Sequence, residues 1–275
     1  MPLSSNRSAT QSLPGIVEGT RPAQAEDPSE AGVRHSAVTF ELYETFPGWD
    51  RAPSLLKGLI QRYGSRRILE VGSGANPTVE PDFIRQHGLV YVTSNTSAEE
   101  LEKADPAYDR VVCDMSANEI GGATTGEFDL IFSRMVGEHI QDGRKFHENV
   151  HRLLRSGGIS AHCFSTLWCL PFALNRILPE FLSDRLLRVV APRNRHQQGK
   201  FPAKYSWSRG PTPAMLRRFQ AIGFDVLRYT GYFGHSYYRR VSPWLHEIEM
   251  RKARLLLRRP APLLCSYATL VLRKR

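Results

Sequence analysis

Two short stretches of this chain have residue types and spacings that could do chemistry. Residues 147–151 read His-Glu-Asn-Val-His. On a helix, His147 and His151 would stand one turn apart on one face and could hold zinc, with Glu148 polarising a metal-bound water. Residues 68–77 read Ile-Leu-Glu-Val-Gly-Ser-Gly-Ala-Asn-Pro. An apolar run ends there at Val71, and Gly72 and Gly74 permit a tight turn with close approach of backbone to a ligand. A dinucleotide fingerprint would carry a third glycine at position 77. Pro77 stands there instead, which suits a nucleotide with no pyrophosphate to cradle.

The elements around these stretches decide between them. Residues 1–36 are rich in Ser, Pro, Ala, Gly and charge without periodicity, so a disordered leader is expected, followed by one domain over 37–275. Leu55, Leu56, Leu59 and Ile60 recur at helical spacing before Gly64. Short apolar runs at 66–71, 89–94, 108–115, 127–135 and 157–165 then alternate with helical stretches at 79–88, 97–104 and 141–155. Ser97 with Glu100 three residues on reads as a capping box. This alternation predicts an α/β fold with a doubly wound parallel sheet. Two more strands, at 225–232 and 263–272, bring the expected count to seven, the last one antiparallel.

The helix over 141–155 removes the zinc reading. Phe146, Val150, Leu153 and Leu154 define its sheet-facing stripe, which leaves His147 and His151 on the flank at the border with solvent. The next residues are Arg-Leu-Leu-Arg-Ser-Gly-Gly, and the nearest downstream carboxylate is Glu180, beyond a whole strand. No metal site is expected.

Composition narrows the class. The chain has 275 residues, 41% of them hydrophobic, enough to bury a full core. Cys113, Cys163, Cys169 and Cys265 form no C-x-x-C pair, and three of them sit in apolar runs. Buried thiols in a reducing compartment are expected, hence a cytoplasmic protein. No run of 18 apolar residues exists. Charge is uneven: residues 1–163 hold 16 Lys and Arg against 22 Asp and Glu, whereas residues 164–275 hold 21 against 5. A half with a balance of +16 attracts phosphates, acidic substrates or an anionic membrane surface.

The spacing of several stretches resembles the class I S-adenosylmethionine-dependent methyltransferases, most closely the methyltransferase-11-like group. Glu70, Gly72, Ser73 and Gly74 match the family's E/D-x-G-x-G loop. Cys113-Asp114-Met115 ends the third strand, and Glu127 to Asp142 matches the fourth strand with its E-H-[VI]-x-D ending. Asn149 to Gly158 matches the lead into strand five. The resemblance implies S-adenosyl-L-methionine as cofactor. It places the methionine part at Glu70, Gly72, Ser73 and Gly74, the ribose at residue 95, and the adenine at Asp114 and Met115, and it groups Ser133 of the fourth strand with them. One position departs from the pattern, because Asn95 stands where the family usually has an acid. An amide oxygen can accept from a ribose hydroxyl but without charge assistance, so a non-catalytic relative is an alternative reading.

For the transfer itself, His139 comes after the fourth strand, at the edge where ligands bind, and is the candidate base. A metal-binding E-x-x-E-H pattern is not met, since Met135 holds the place of its first acid. Helical insertions after strands five and six, over 165–210 and 233–262, are expected to recognise the acceptor, as a lid, a membrane-surface helix or plain cover for the sheet. Lys200, Tyr205, Trp207 and Arg209 in the first, with His235 and Tyr238 in the second, are the candidates. Leu245, Ile248, Leu255 and Leu256 either pack on the fold or form a dimer face. The sequence thus predicts O-methylation of a small-molecule, sugar or lipid-linked acceptor, with peripheral contact to an anionic membrane. An RNA or protein acceptor is the alternative that the basic half suggests.

Overall fold

The computed structural model describes residues 37–122, 125–167, 203–239 and 242–275. The leader over 1–36, Cys169, Lys200 and most of the first insertion lie outside the described residues.

The chain runs β1 (Val38–Leu42), α1 (Ala52–Tyr63), β2 (Arg67–Val71), α2 (Pro81–His87), β3 (Val90–Asn95), α3 (Ala98–Glu102), β4 (Asp109–Val112), β5 (Phe128–Arg134), α4 (Gly143–Leu153) and β6 (Leu154–Ser165). It continues through α5 (Pro213–Ile222), β7 (Phe224–Phe233), α6 (Pro243–Arg258) and β8 (Tyr267–Lys274). Local chemistry sets the boundaries. Gly64, Gly88 and Gly223 close α1, α2 and α5 in the left-handed conformation. Ser97, Asp142, Thr212 and Ser242 each accept a backbone N–H at the start of a helix. The capping box at Ser97 is only half closed, because the Glu100 carboxylate turns to Lys103 instead.

The strands form one sheet in the order β1-β7-β8-β6-β5-β2-β3-β4, parallel throughout except where β8 runs against β6 and β7. Doubly wound α/β architecture is therefore observed, with eight strands rather than seven. The extra one is β1, which lies parallel to β7 from Val38 opposite Tyr229 to Leu42 opposite Phe233.

Alternation along the strands feeds two cores, as a sheet covered on both faces requires. Ile68, Leu130 and Phe132 pack with Leu56, Leu59 and Ile60 of α1 on one face. Leu69, Val71 and Ile131 pack with Phe146, Val150 and Leu153 of α4 and Phe219 of α5 on the other. His147 is a correction to the sequence reading. It is buried, with its ring 5.8 Å from Trp207, 4.8 Å from Phe219 and 5.3 Å from His162. Both histidines are held neutral by burial, His162 with its pKa lowered to about 3. Among the described residues no cluster of His, Cys, Asp or Glu could hold a metal ion.

Candidate active site

Chain order reverses between β2 and β5, and the crevice at such a switch point is where open α/β sheets bind ligands. A cleft of about 720 Å³ opens there, within the usual range for a drug-sized molecule. Its walls come from the C-terminal ends of the strands: Val71 and Gly72 at β2, Asn95 and Thr96 at β3, Cys113 to Ser116 beyond β4. From β5 come Met135 and Val136, and from the turn beyond it His139 to Asp142.

The turn after β2 is fitted closely. Gly72 has φ +72°, and a Cβ there would lie 2.5 Å from Val136 Cγ2. Glu70 does not reach the cleft. Its carboxylate is buried and accepts from the Thr78 N–H at 2.8 Å, the Thr78 hydroxyl and the Tyr91 hydroxyl at 2.6 Å. It ties the far end of the Gly72–Thr78 loop back to the sheet, so its role is to position the loop. Burial is the main influence on Glu70 and raises its pKa. Ser73 Oγ is buried without a hydrogen-bond partner. Gly74 has φ +53° and faces Asn95 Nδ2.

At the end of β3 the Asn95 amide is already oriented. Its Oδ1 accepts from the Ser97 N–H at 3.1 Å, which leaves the Nδ2 donors on the Gly74 side. The oxygen keeps a second lone pair, so the amide offers both an acceptor and the Nδ2 donors at the end of β3. Asp114 is exposed at the cleft and accepts from the Ser116 N–H at 2.7 Å, while Met115 is buried beside it. The loop carrying both is clamped by Asn149 Nδ2, which donates to the carbonyls of Met115 at 2.9 Å and Ala117 at 2.8 Å. The false zinc motif thus supplies a brace for the cleft.

Beyond β5, Met135 takes φ +55°, a strained backbone for a non-glycine residue, and its N–H donates to Cys163 O at 2.7 Å. His139 lies in a short helical turn and is exposed on the cleft. Ser133 is drawn elsewhere. It is buried and its hydroxyl lies 2.7 Å from His162 Nδ1, away from the cleft lining.

None of the described residues expected to recognise the acceptor lines this cleft. Tyr205 is buried, and its N–H donates to Glu138 O at 2.9 Å. Trp207 stacks on His147, with the Arg218 guanidinium 5.4 Å from its ring. Arg209 donates to the carbonyls of Tyr205 and Ser208. His235 is fully buried, 3.7 Å from Glu249, with Tyr238 packed on its ring. These side chains hold segments 203–211 and 233–239 to the fold. Thr96, Cys113, Ser116, Val136, Ile140, Gln141 and Asp142 were not foreseen as lining residues. The signal available for them was position, immediately beyond the ends of β3, β4 and β5.

Residues 69–161 match the family model described as a methyltransferase domain. No curated protein sequence matches the chain. Among solved structures, an S-adenosylmethionine-dependent methyltransferase from Mesorhizobium loti is similar at 15% identity, over 80% of this chain and 96% of that one, with a TM-score of 0.47. Phosphoethanolamine N-methyltransferase 2 of Haemonchus contortus, in complex with S-adenosyl-L-methionine, is similar at 17% identity over 80% of this chain and 52% of that one, also at 0.47.

The family match assigns residues 69–161 to a methyltransferase domain, and the switch-point cleft lies at the strand ends of that region. The protein is accordingly a methyltransferase, with S-adenosyl-L-methionine as its cofactor. The residues present fit that group: a turn with no room for a side chain at Gly72, amide donors at Asn95, and a carboxylate beside an apolar side chain at Asp114 and Met115.

Proposed function

We propose that the protein O-methylates a small-molecule, sugar or lipid-linked acceptor, with His139 as the general base. The observation that carries this reading is the position of His139, exposed on the same cleft as Gly72, Asn95 and Asp114. Bound S-adenosylmethionine supplies an electrophilic methyl group on a sulfonium. The chain has then to orient the acceptor hydroxyl, exclude water and take up its proton. An imidazole nitrogen of His139 is the proton acceptor in this scheme. Backbone at Gly72 to Gly74 borders the methionine part, Asn95 donates to the ribose, and Asp114 with Met115 borders the adenine.

His139→Ala is expected to lower kcat by about 100-fold or more while cofactor affinity is unchanged. Transfer of labelled methyl groups to acidic glycan, lipid-linked and small hydroxyl acceptors is the assay. Full turnover with the alanine variant sinks the base assignment, and transfer to RNA or protein alone replaces the acceptor class. Asn95→Asp puts a charge-assisted acceptor beside the ribose hydroxyls and is expected to tighten cofactor binding by about tenfold. Calorimetric titration checks it, and unchanged or weaker binding would place the ribose elsewhere.

A further inference from the structure

We infer that the outward face of α6 is a docking surface for an anionic lipid bilayer. Amphipathic helices on a globular fold normally turn their apolar stripe inward. In α6 the buried residues are Glu249, Met250 and Ala253, and Leu256 packs beside Phe233 and Cys265. The opposite side carries a second apolar stripe. Trp244, Ile248 and Leu255 are 71%, 44% and 61% exposed. At 3.6 residues per turn they fall within about 40° of one another. Leu245, and Leu263 and Leu264 in the turn after the helix, are exposed as well. The sequence left Leu245, Ile248 and Leu255 between fold packing and a dimer face, and in the folded chain they face outward.

Charge selects the occupant. Arg251, Lys252, Arg254, Arg258 and Arg259 stand against only Glu247 and Glu249 over this segment. Glu249 is buried and holds Lys252 at 2.6 Å, and Glu247 lies 3.3 Å from Arg251 and 3.5 Å from Arg254. Arg258 and Arg259 are exposed at the C-terminal end of the helix, just beyond Leu255 of the stripe. A second copy packed with its helix parallel would set these arginines against their own kind, which is destabilising. Packed antiparallel, it would lay them near Trp244 and a Glu247 that Arg251 and Arg254 already hold. Nucleic acid would engage the cations and leave the aliphatic stripe unsatisfied. A bilayer with anionic headgroups uses both. The stripe enters the headgroup boundary with the Trp244 ring at interfacial depth, and the arginines meet lipid phosphates. Among the described residues no helix is long and apolar enough to cross a membrane, so the contact is peripheral.

The test is co-sedimentation of the full chain with phosphatidylcholine vesicles and with vesicles that also contain phosphatidylserine, at low and high salt. Partition onto the anionic vesicles is expected to exceed that onto phosphatidylcholine by about tenfold and to fall at high salt. A Trp244→Ala, Ile248→Ala, Leu255→Ala triple variant should lose about tenfold or more of that partition, and Arg258→Glu with Arg259→Glu should lose the anionic preference. All these positions are exposed, so cofactor titration on the same samples shows that the variants remain folded. Equal partition of wild type and both variants overturns the inference. So does a wild-type dimer that the triple variant abolishes, or salt-sensitive RNA binding without vesicle binding.

Discussion

Gly72→Val is expected to raise the dissociation constant for S-adenosylmethionine by at least about 100-fold, a loss near 2.7 kcal/mol. Two independent effects act on one residue. The backbone at φ +72° disfavours any side chain, at about 1–3 kcal/mol. The added Cβ would also sit 2.5 Å from Val136 Cγ2, so either the turn or the Val136 segment must move. Both line the cleft, and the turn is pinned by the Gly72 N–H donating to Ser94 O at 2.8 Å. Relief of the overlap therefore comes at the expense of the surface that meets the cofactor. Gly74 provides an internal comparison. A Cβ there would meet Asn95 Nδ2 at 3.2 Å, a neighbour at the end of a side chain that can give way. Gly74→Ala should accordingly cost only several-fold in affinity. Calorimetry on both variants, with thermal melts to confirm folding, reads the difference. A folded Gly72→Val protein that binds within a few-fold of wild type would move the cofactor off this turn.

Those glycines were legible because a positive φ and a close approach leave a residue-type signature at fixed spacing. So were the positions of Asn95, Asp114 and Met115, which lie at or just past strand ends and need only the element order to be placed at the cleft. Side chains whose partners lie far along the chain were not legible in the same way. Ser133 and His162 are 29 residues apart and meet across β5 and β6, where the pleat turns the hydroxyl away from the cleft. His147 falls at the edge of a helical stripe, and whether an edge position is wet depends on what arrives from elsewhere. Here Trp207 and Phe219 cover it. Strand β1 was missed for a related reason. Val38 to Leu42 do alternate apolar and polar residues, but so short a run becomes a strand only by pairing with β7, 191 residues away at Val38 and Tyr229. Asn95 shows the finer limit. Residue type indicated an amide at the strand end, but not that the Ser97 N–H occupies one lone pair of its oxygen.

Glu138 was also invisible as an ionisable residue of consequence, and it carries the second large effect. It lies in the turn beside His139, its side chain buried. Oε1 accepts from Ser165 Oγ at 3.0 Å and Oε2 has no partner, while its backbone carbonyl accepts from the Lys204 and Tyr205 N–H groups at 2.7 and 2.9 Å. Burial pushes the carboxyl up from 4.5 to about 7, and the Ser165 hydrogen bond only partly opposes this. A folded-state value above the unfolded one means that the folded protein keeps a proton the unfolded chain has already released. The contribution of Glu138 to stability is therefore highest below about pH 4.5, declines as pH rises toward 7, and levels off above it, by about 3 kcal/mol in all. His147 and His162 slope the other way, because burial holds both below 6.5 and stability falls as acid charges them in the unfolded chain. The wild-type pH curve mixes the two, and only a difference isolates the carboxyl. Glu138→Gln keeps the volume and an acceptor for Ser165 but cannot ionise. Measured by urea unfolding, the variant should match wild type near pH 4.5 and gain on it by up to about 1.4 kcal/mol per pH unit on the way to 7. Parallel curves across that range would show that Glu138 ionises as an ordinary carboxyl. If the gain appears while cofactor affinity stays constant, the cost of an ionised Glu138 resides in the turn that presents His139 and leaves the cofactor site untouched.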